Sequence, residues 1–387
     1  MSKFHQSIFI SILTILFSIQ AYAAPTPSVT SPEIADQQSE KYIATHLSPD
    51  RDQVESSLHV ARNLSLSHYR KQPINKELSE KIYDHYLSAL DPSRLYFIQS
   101  DIDEFENYRF KLDSAIKTGQ LSPAFNIYNR YQTRVIERLE KQTEFIEKKI
   151  TSLNFKKNEF IETDRSEMPW AKSIDELDDV WRRRTKSTVL SMKLDGSTLD
   201  EAKETLTKRY KNQLKRTLQA RSEDAFSSYM NSFTAVYDPH TNYFSPRSSE
   251  NFNINMSLSL EGIGAVLQAD NEFTKVVRLV PGGPAHKQGQ LGTADRIVGV
   301  AQGEKGEMVD VIGWRLDEVV DLIRGPKHSI VRLKVIPSES QAETKTEVIK
   351  ITRDKVKLEE QAASSTTLDI EREGKSNHIG VITIPTF

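Results

Sequence analysis

The sequence predicts a multidomain chain: an all-α N-terminal domain, an α+β module behind it, and the first strand or strands of a further core. Two observations carry this. Apolar residues recur at helical spacing through the first part, at Leu78, Ile82, Tyr86 and Leu90 and again from Tyr128 to Ile146. After Val236 the punctuation changes to Gly, Pro and short β-type runs. Strand, glycine turn, strand, short helix, strand, longer helix and strand then follow within roughly 90 residues, the extent of one α+β unit. A chain of 387 residues has room for two or three such domains.

Composition narrows the function. Lysine and arginine number 52 against 54 acidic residues, so no excess of positive charge is available to track phosphates, and a nucleic-acid partner is not expected. The absence of cysteine excludes disulfides, thiolate metal sites, cysteine catalysis and a lipid-modified N-terminal cysteine. The nine histidines form no H-E-x-x-H pattern, so neither a metal nor another cofactor is expected.

The N-terminus reads as a leader. Lys3, an apolar run from Ile8 to Ile19 and Ala21-Tyr22-Ala23 before Ala24 follow the order of a cleavable secretory signal over residues 1–23. The run is short for a bilayer span, which needs about 20 apolar residues; an uncleaved anchor is the other reading. Residues 24–40 are rich in Pro, Ser and Thr and read as disordered. The helical domain is expected over 41–237, a linker loop over 238–250, the α+β module over 251–340 and the incomplete core over 341–387.

Within the helical domain, Asp91-Pro92 closes the helix that ends near Leu90, because the residue before proline avoids the α conformation. Ser122-Pro123 reads as cap and first helical position of a longer helix, whose seam runs Tyr128, Tyr131, Val135, Leu139, Gln142, Ile146 with one polar break. Thr198-Leu199-Asp200-Glu201 is a capping box. Phe226, Met230, Phe233 and Val236 mark a last helix that stops at Asp238-Pro239. Trp181-Arg182-Arg183-Arg184 reads as a surface turn of helix with the tryptophan packed inward, a basic contact patch being the alternative.

In the second part, Gly262-Ile263-Gly264-Ala265 opens an alternating strand. Two glycines around one apolar residue let successive amides point into one concavity that holds a carboxylate, and the strand behind offers an edge for an extended peptide; taken alone, the same pair is a tight turn. Leu316, Val320 and Ile323 lie on one face of the later helix, with Val319 and Leu322 on an adjoining face. The first face would line a pocket for a peptide side chain; core positions for all five are the other reading. His240 near Asp238 invites an acid–base role, but no nucleophile is fixed beside it, and a histidine bonded within its own turn is the simpler reading.

Gly262-Ile263-Gly264-Ala265, Pro281-Gly282-Gly283-Pro284-Ala285 and the later helix resemble a PDZ domain of the bacterial protease type. Asp238-Pro239-His240-Thr241-Asn242-Tyr243 is similar to a signature of carboxy-terminal processing proteases. Leu90-Asp91-Pro92-Ser93-Arg94 with Tyr96-Phe97 resembles the helical region of their long, periplasmic, tail-specific branch. Ile379-Gly380-Val381-Ile382-Thr383-Ile384-Pro385 resembles the strand that re-enters the protease core. Two departures fall in turns: Ala294 stands where the family has Gly before Asp295, and His328-Ser329 where Gly-Thr or Gly-Ser follows Gly-Pro-Lys.

The resemblance implies an exported serine endopeptidase that reads apolar C-terminal tails of envelope proteins in the periplasm, with a peripheral place at the inner membrane and a lipoprotein adaptor both compatible with it. In that family a serine in a Ser-Ala-Ser-type segment is activated by a lysine in a Gly-Lys-Gly-type segment, a base that serves only when burial lowers its pKa. No such segments follow Gly325-Pro326-Lys327; Ser364-Ser365 with Lys375 is a polar, turn-like imitation. No catalytic residue is therefore assigned, and the chain is expected to be truncated before the catalytic residues and inactive alone. A non-catalytic PDZ adaptor or chaperone is the second reading.

Overall fold

The computed structural model describes residues 42–339, 345–358, 363–372 and 375–384. The expected signal segment at 1–23 and the polar stretch at 24–40 lie outside the described residues, as does the expected boundary at 340–341. No described helix is long and apolar enough to cross a membrane.

The first part is helical: α1 (Arg51–Ser67), α2 (Lys76–Leu90), α3 (Gln99–Phe105), α4 (Leu112–Thr118), α5 (Ser122–Lys149), α6 (Ile174–Leu194), α7 (Leu199–Leu218) and α8 (Ser222–Tyr237). The stripe Leu78, Ile82, Tyr86 and Leu90 is buried on α2 and meets Phe226, Met230 and Phe233 of α8 in one core. Asp91 then turns the chain: its carboxylate accepts N–H bonds from Leu95 (2.8 Å), Tyr96 (2.8 Å) and Phe97 (3.0 Å). That satisfies three donors of the segment leading into α3 and explains the Asp-Pro-Ser-Arg run.

Helix α5 packs along α7, and its polar break is accommodated because Gln142 Nε2 donates to Thr185 Oγ1 on α6 at 2.5 Å. The cap expected at Ser122 is displaced: Leu121 holds the cap position, Ser122 is the first helical residue, and no side chain caps this helix. On α7 the capping box forms as expected, Glu201 N donating to Thr198 Oγ1 and Thr198 N to the Glu201 carboxylate. Trp181 is buried and donates to Leu95 O at 2.8 Å, while Arg182 and Arg183 pair outward with Glu159 and Asp179. This is the surface helix with an inward tryptophan.

The expected loop at 238–250 is shorter than predicted. Helix α9 (Pro246–Ser257) begins inside it, because Ser245 Oγ accepts from Ser248 N and Pro246 takes the first helical position.

The α+β part contains β1 (Ser259–Gly262), β2 (Ala265–Asp270), β3 (Phe273–Leu279), α10 (Pro284–Gln288), β4 (Arg296–Gln302), β5 (Val309–Asp310), α11 (Leu316–Ile323), β6 (Ile330–Ile336), β7 (Glu347–Thr352) and β8 (Asp354–Lys357). One sheet runs β2-β3-β4-β6-β7, with β5 paired to β4, and β1 pairs separately with β8. Strand β7 thus continues the sheet beyond residue 340, and β8 returns to the start of the module. Val276, Ile297, Val300, Val319, Val331 and Leu333 fill the core. A last hairpin joins β9 (Ser364–Arg372) and β10 (Lys375–Thr383).

The module is held to the helices at the start of α11. Arg315 Nη1 donates to Asp224 Oδ2 (2.7 Å) and to Gln219 O (3.1 Å), and Gln219 Nε2 donates to Gly313 O (2.6 Å).

Candidate peptide-binding groove

The link between β1 and β2 is Ile263-Gly264, and both carbonyls are committed. Ile263 O accepts from Ala285 N at 2.9 Å and Gly264 O from Val280 N at 2.8 Å. No peptide bond among the described residues is cis. In a planar trans peptide the C=O and the following N–H point in opposite directions, so the amides of Gly264 and Ala265 are turned away from the 280–285 segment. Two neighbouring amides with one heading are what a carboxylate requires.

Gly264 holds this geometry at φ +74°, and a Cβ there would meet Gly283 Cα at 3.1 Å and Val356 Cγ2 at 3.3 Å. The left-handed backbone and the close approach both demand glycine. The Pro-Gly-Gly-Pro turn and the Gly-x-Gly loop are therefore two sides of one contact.

Among the described residues, β2 pairs only with β3, and α11 lies beside it. An unpaired strand edge next to a helix, beginning at a pair of outward amides, is a geometry to which an extended peptide can add as a further strand. Of the residues expected to line it, Leu316 and Val320 are half-buried, whereas Ile323 is buried with Val319 in the module's core; Leu322 packs partly against that core. Gly262 ends β1, Ile263 is buried beneath the loop, and Gly264 and Ala265 carry the outward amides.

The structure also brings in residues that sequence reasoning passed over. Val356 of β8 roofs Gly264, and Arg353, between β7 and β8, is fully buried against the end of α11. Neither is near the groove in sequence, although the alternation of β7, with Ile349 and Ile351 buried, continues inward to Arg353.

The remaining candidates are separate from this site. His240 N donates to Asp238 Oδ1 at 2.9 Å and its ring lies 3.3 Å from the same oxygen, a bond within its own turn. Ser364 pairs with Thr383 at the open end of the last hairpin, and Lys375 pairs with Arg372 at its turn, so the Ser364-Ser365 and Lys375 imitation is split across the hairpin's length.

These features define a helical domain joined to an α+β module with an open strand edge beside a helix. Residues 60–247 match the family "Tail specific protease N-terminal domain", and residues 251–336 match "PDZ domain". The tail-specific protease of Haemophilus influenzae is 38% identical over 325 residues, 84% of this chain and 45% of that protein. The carboxy-terminal processing protease CtpA of Bacillus subtilis is 28% identical over 204 residues, 52% of this chain and 39% of that protein. A crystal structure of the PDZ domain of a carboxy-terminal protease from Vibrio cholerae, in complex with peptide, is 55% identical; it covers 26% of this chain and 100% of that one, with a TM-score of 0.25. The chain belongs to the carboxy-terminal processing proteases, in their tail-specific branch. It spans less than half the length of these curated relatives.

Proposed function

We propose that the chain is the N-terminal part of an exported serine endopeptidase and that its PDZ module selects substrates by their apolar C-terminal tails. The observation that carries this is the shared heading of the Gly264 and Ala265 amides at the open edge of β2, fixed by the bonds of Ile263 O and Gly264 O to Ala285 and Val280. In this reading Gly262, Ile263, Gly264 and Ala265 form the carboxylate loop, and Leu316 and Val320 form the wall that meets the terminal side chain, with Ile323 packed in the core behind them.

Burying one Leu or Val side chain contributes about 1.5–3 kcal/mol, against an association cost of about 4–15 kcal/mol. A single pocket with a few backbone bonds therefore binds weakly and releases readily, which suits selection and hand-over of envelope proteins in the periplasm. A lipoprotein adaptor would add affinity by multivalency where the tail alone is too weak.

In this reading the residues of this chain supply recognition, and cleavage is the work of the Ser-Ala-Ser-type and Gly-Lys-Gly-type segments that the family resemblance implies. The test is calorimetry of the purified chain with peptides ending in a free carboxylate, in a C-terminal amide, or in Asp. Binding of the free apolar tail alone supports the reading; equal binding of the amide overturns the carboxylate loop. Cleavage of any of these peptides by the pure chain would overturn that division of labour.

A further inference from the structure

The groove has two walls, the loop at Gly264 and the helix α11, and a single short segment touches both. At one end is Arg353, whose guanidinium is fully buried. Its Nε donates to Ile323 O (2.8 Å), Nη2 to Leu322 O (3.1 Å) and Gln302 Oε1 (2.7 Å), and Nη1 to Ser329 Oγ (2.9 Å) and Ile330 O (3.3 Å). These five bonds use every donor the side chain has. Leu322 and Ile323 are the last residues of α11, whose terminal carbonyls carry the partial negative charge of the helix end.

Among the described residues no carboxylate pairs with Arg353. A buried cation without a counter-ion is a costly way to fill space, so its use here is directional: it grips one helix end. The grip leaves no room above it, since a Cβ on Gly325 would lie 3.0 Å from the Arg353 Cζ. The backbone is held as well, Arg353 N donating to Ser329 O and His328 N to Arg353 O, both at 2.8 Å.

At the other end, three residues on, Val356 lies against Gly264, and β8 is paired with β1 from Ser259↔Lys357 to Gly262↔Asp354. A cross-bond reinforces the connection: Lys327 N, just past α11, donates to Glu261 Oε2 at 2.9 Å.

We infer that Arg353–Val356 is a tie that sets the separation of the two groove walls, and with it the size of the terminal side chain accepted, Arg353 being its positioning residue. This rests on the tail-binding reading above. A pocket with both walls fixed discriminates by size, whereas a pocket with one free wall adapts.

The test is calorimetry of the full chain with three peptides identical except for a last residue of Ala, Leu or Phe. The wild type should separate the three. In Arg353→Met the affinity ratio between Leu-ended and Phe-ended peptides should move toward unity by about fivefold or more, while Ile349→Val, a core change outside the groove, should keep it within about twofold. Equal loss of affinity for all three tails, an unchanged ratio, or a wild type that does not discriminate overturns the tie. A wild type that binds no tail overturns the tail-binding reading and the tie together. If Arg353→Met does not fold, Gln302→Leu removes one of its acceptors and should shift the ratio the same way by about twofold; no shift again overturns the tie.

Discussion

Gly264 and Gly283 meet backbone to backbone: a Cβ on either would lie within 3.3 Å of the other's Cα. That contact seats the Gly-x-Gly loop on the turn that receives its carbonyls. Gly264→Val should therefore abolish tail binding and cost about 2–4 kcal/mol of stability, from strain at positive φ and overpacking. Gly283→Ala touches no ligand, yet its Cβ would meet Val280 O at 3.0 Å. It should tilt the loop and weaken binding by about 1 kcal/mol with the fold retained. Calorimetry and thermal melts of both variants check this; unchanged affinity in Gly264→Val would count against the groove.

Neighbouring valines on α11 separate binding from stability. Val319 is fully buried in the module's core, whereas Val320 is half-buried. Val319→Ala should destabilise by about 2 kcal/mol and leave the affinity of the folded protein nearly unchanged. Val320→Ala should cost about 1 kcal/mol of binding, roughly a fivefold weaker Kd, with little change in melting temperature. Interchanged effects would place the ligand on a different face of α11.

How far these features were readable depends on the range over which they are encoded. The stripes of α2 and α5 and the Thr198 capping box are local patterns, and each emerged at its place. The left-handed residue of the Gly-x-Gly loop was legible because that requirement is also local, and Gly264 meets it at φ +74°. Helix α9 was hidden because Pro246 reads as a breaker when its role as first helical residue is not seen. The β1–β8 ladder joins residues nearly a hundred positions apart, and nothing in either strand names its partner. Arg353 was hidden for the same reason: its acceptors come from three separate segments.

The two departures from the family pattern now have a physical description. Ala294 sits at φ +68° and His328 at φ +69°, both in the left-handed region where the family has glycine. A side chain there costs about 1–2 kcal/mol relative to glycine's unstrained backbone. Ala294→Gly and His328→Gly should each stabilise the module by about 0.5–1 kcal/mol, after subtracting the larger unfolded-state entropy of glycine. Ala294 N donates to Val276 O and makes no bond to the Gly264 loop, so its variant should leave tail affinity unchanged. His328 N donates to Arg353 O, so its variant also tests whether that turn bears on the groove. Denaturant titration of each variant reads the stability, and a loss in either would show that the side chain makes a compensating contact.

Asp238 closes α8 through its backbone N–H to Thr234 O, and its carboxylate should leave a pH signature. Tyr69 donates its hydroxyl to Oδ2 at 2.5 Å and His240 N donates to Oδ1 at 2.9 Å, and these bonds hold the Asp238 pKa down at about 2, from an ordinary 3.8. A carboxylate depressed on folding stabilises the protein fully above its unfolded pKa and loses that contribution as pH falls through the folded one. The melting temperature of wild type should therefore exceed that of Asp238→Asn by a constant margin above about pH 5, and the margin should close between about pH 4 and 2. Tyr69→Phe removes the largest cause of the depression, so its Asp238 should titrate closer to the ordinary value, and the pH-dependent contribution should be smaller and be fully lost at a higher pH. Thermal melts of the three proteins from pH 7 to 2 measure this. A margin that persists unchanged to pH 2 would mean that the residue acts through packing and not through its charge.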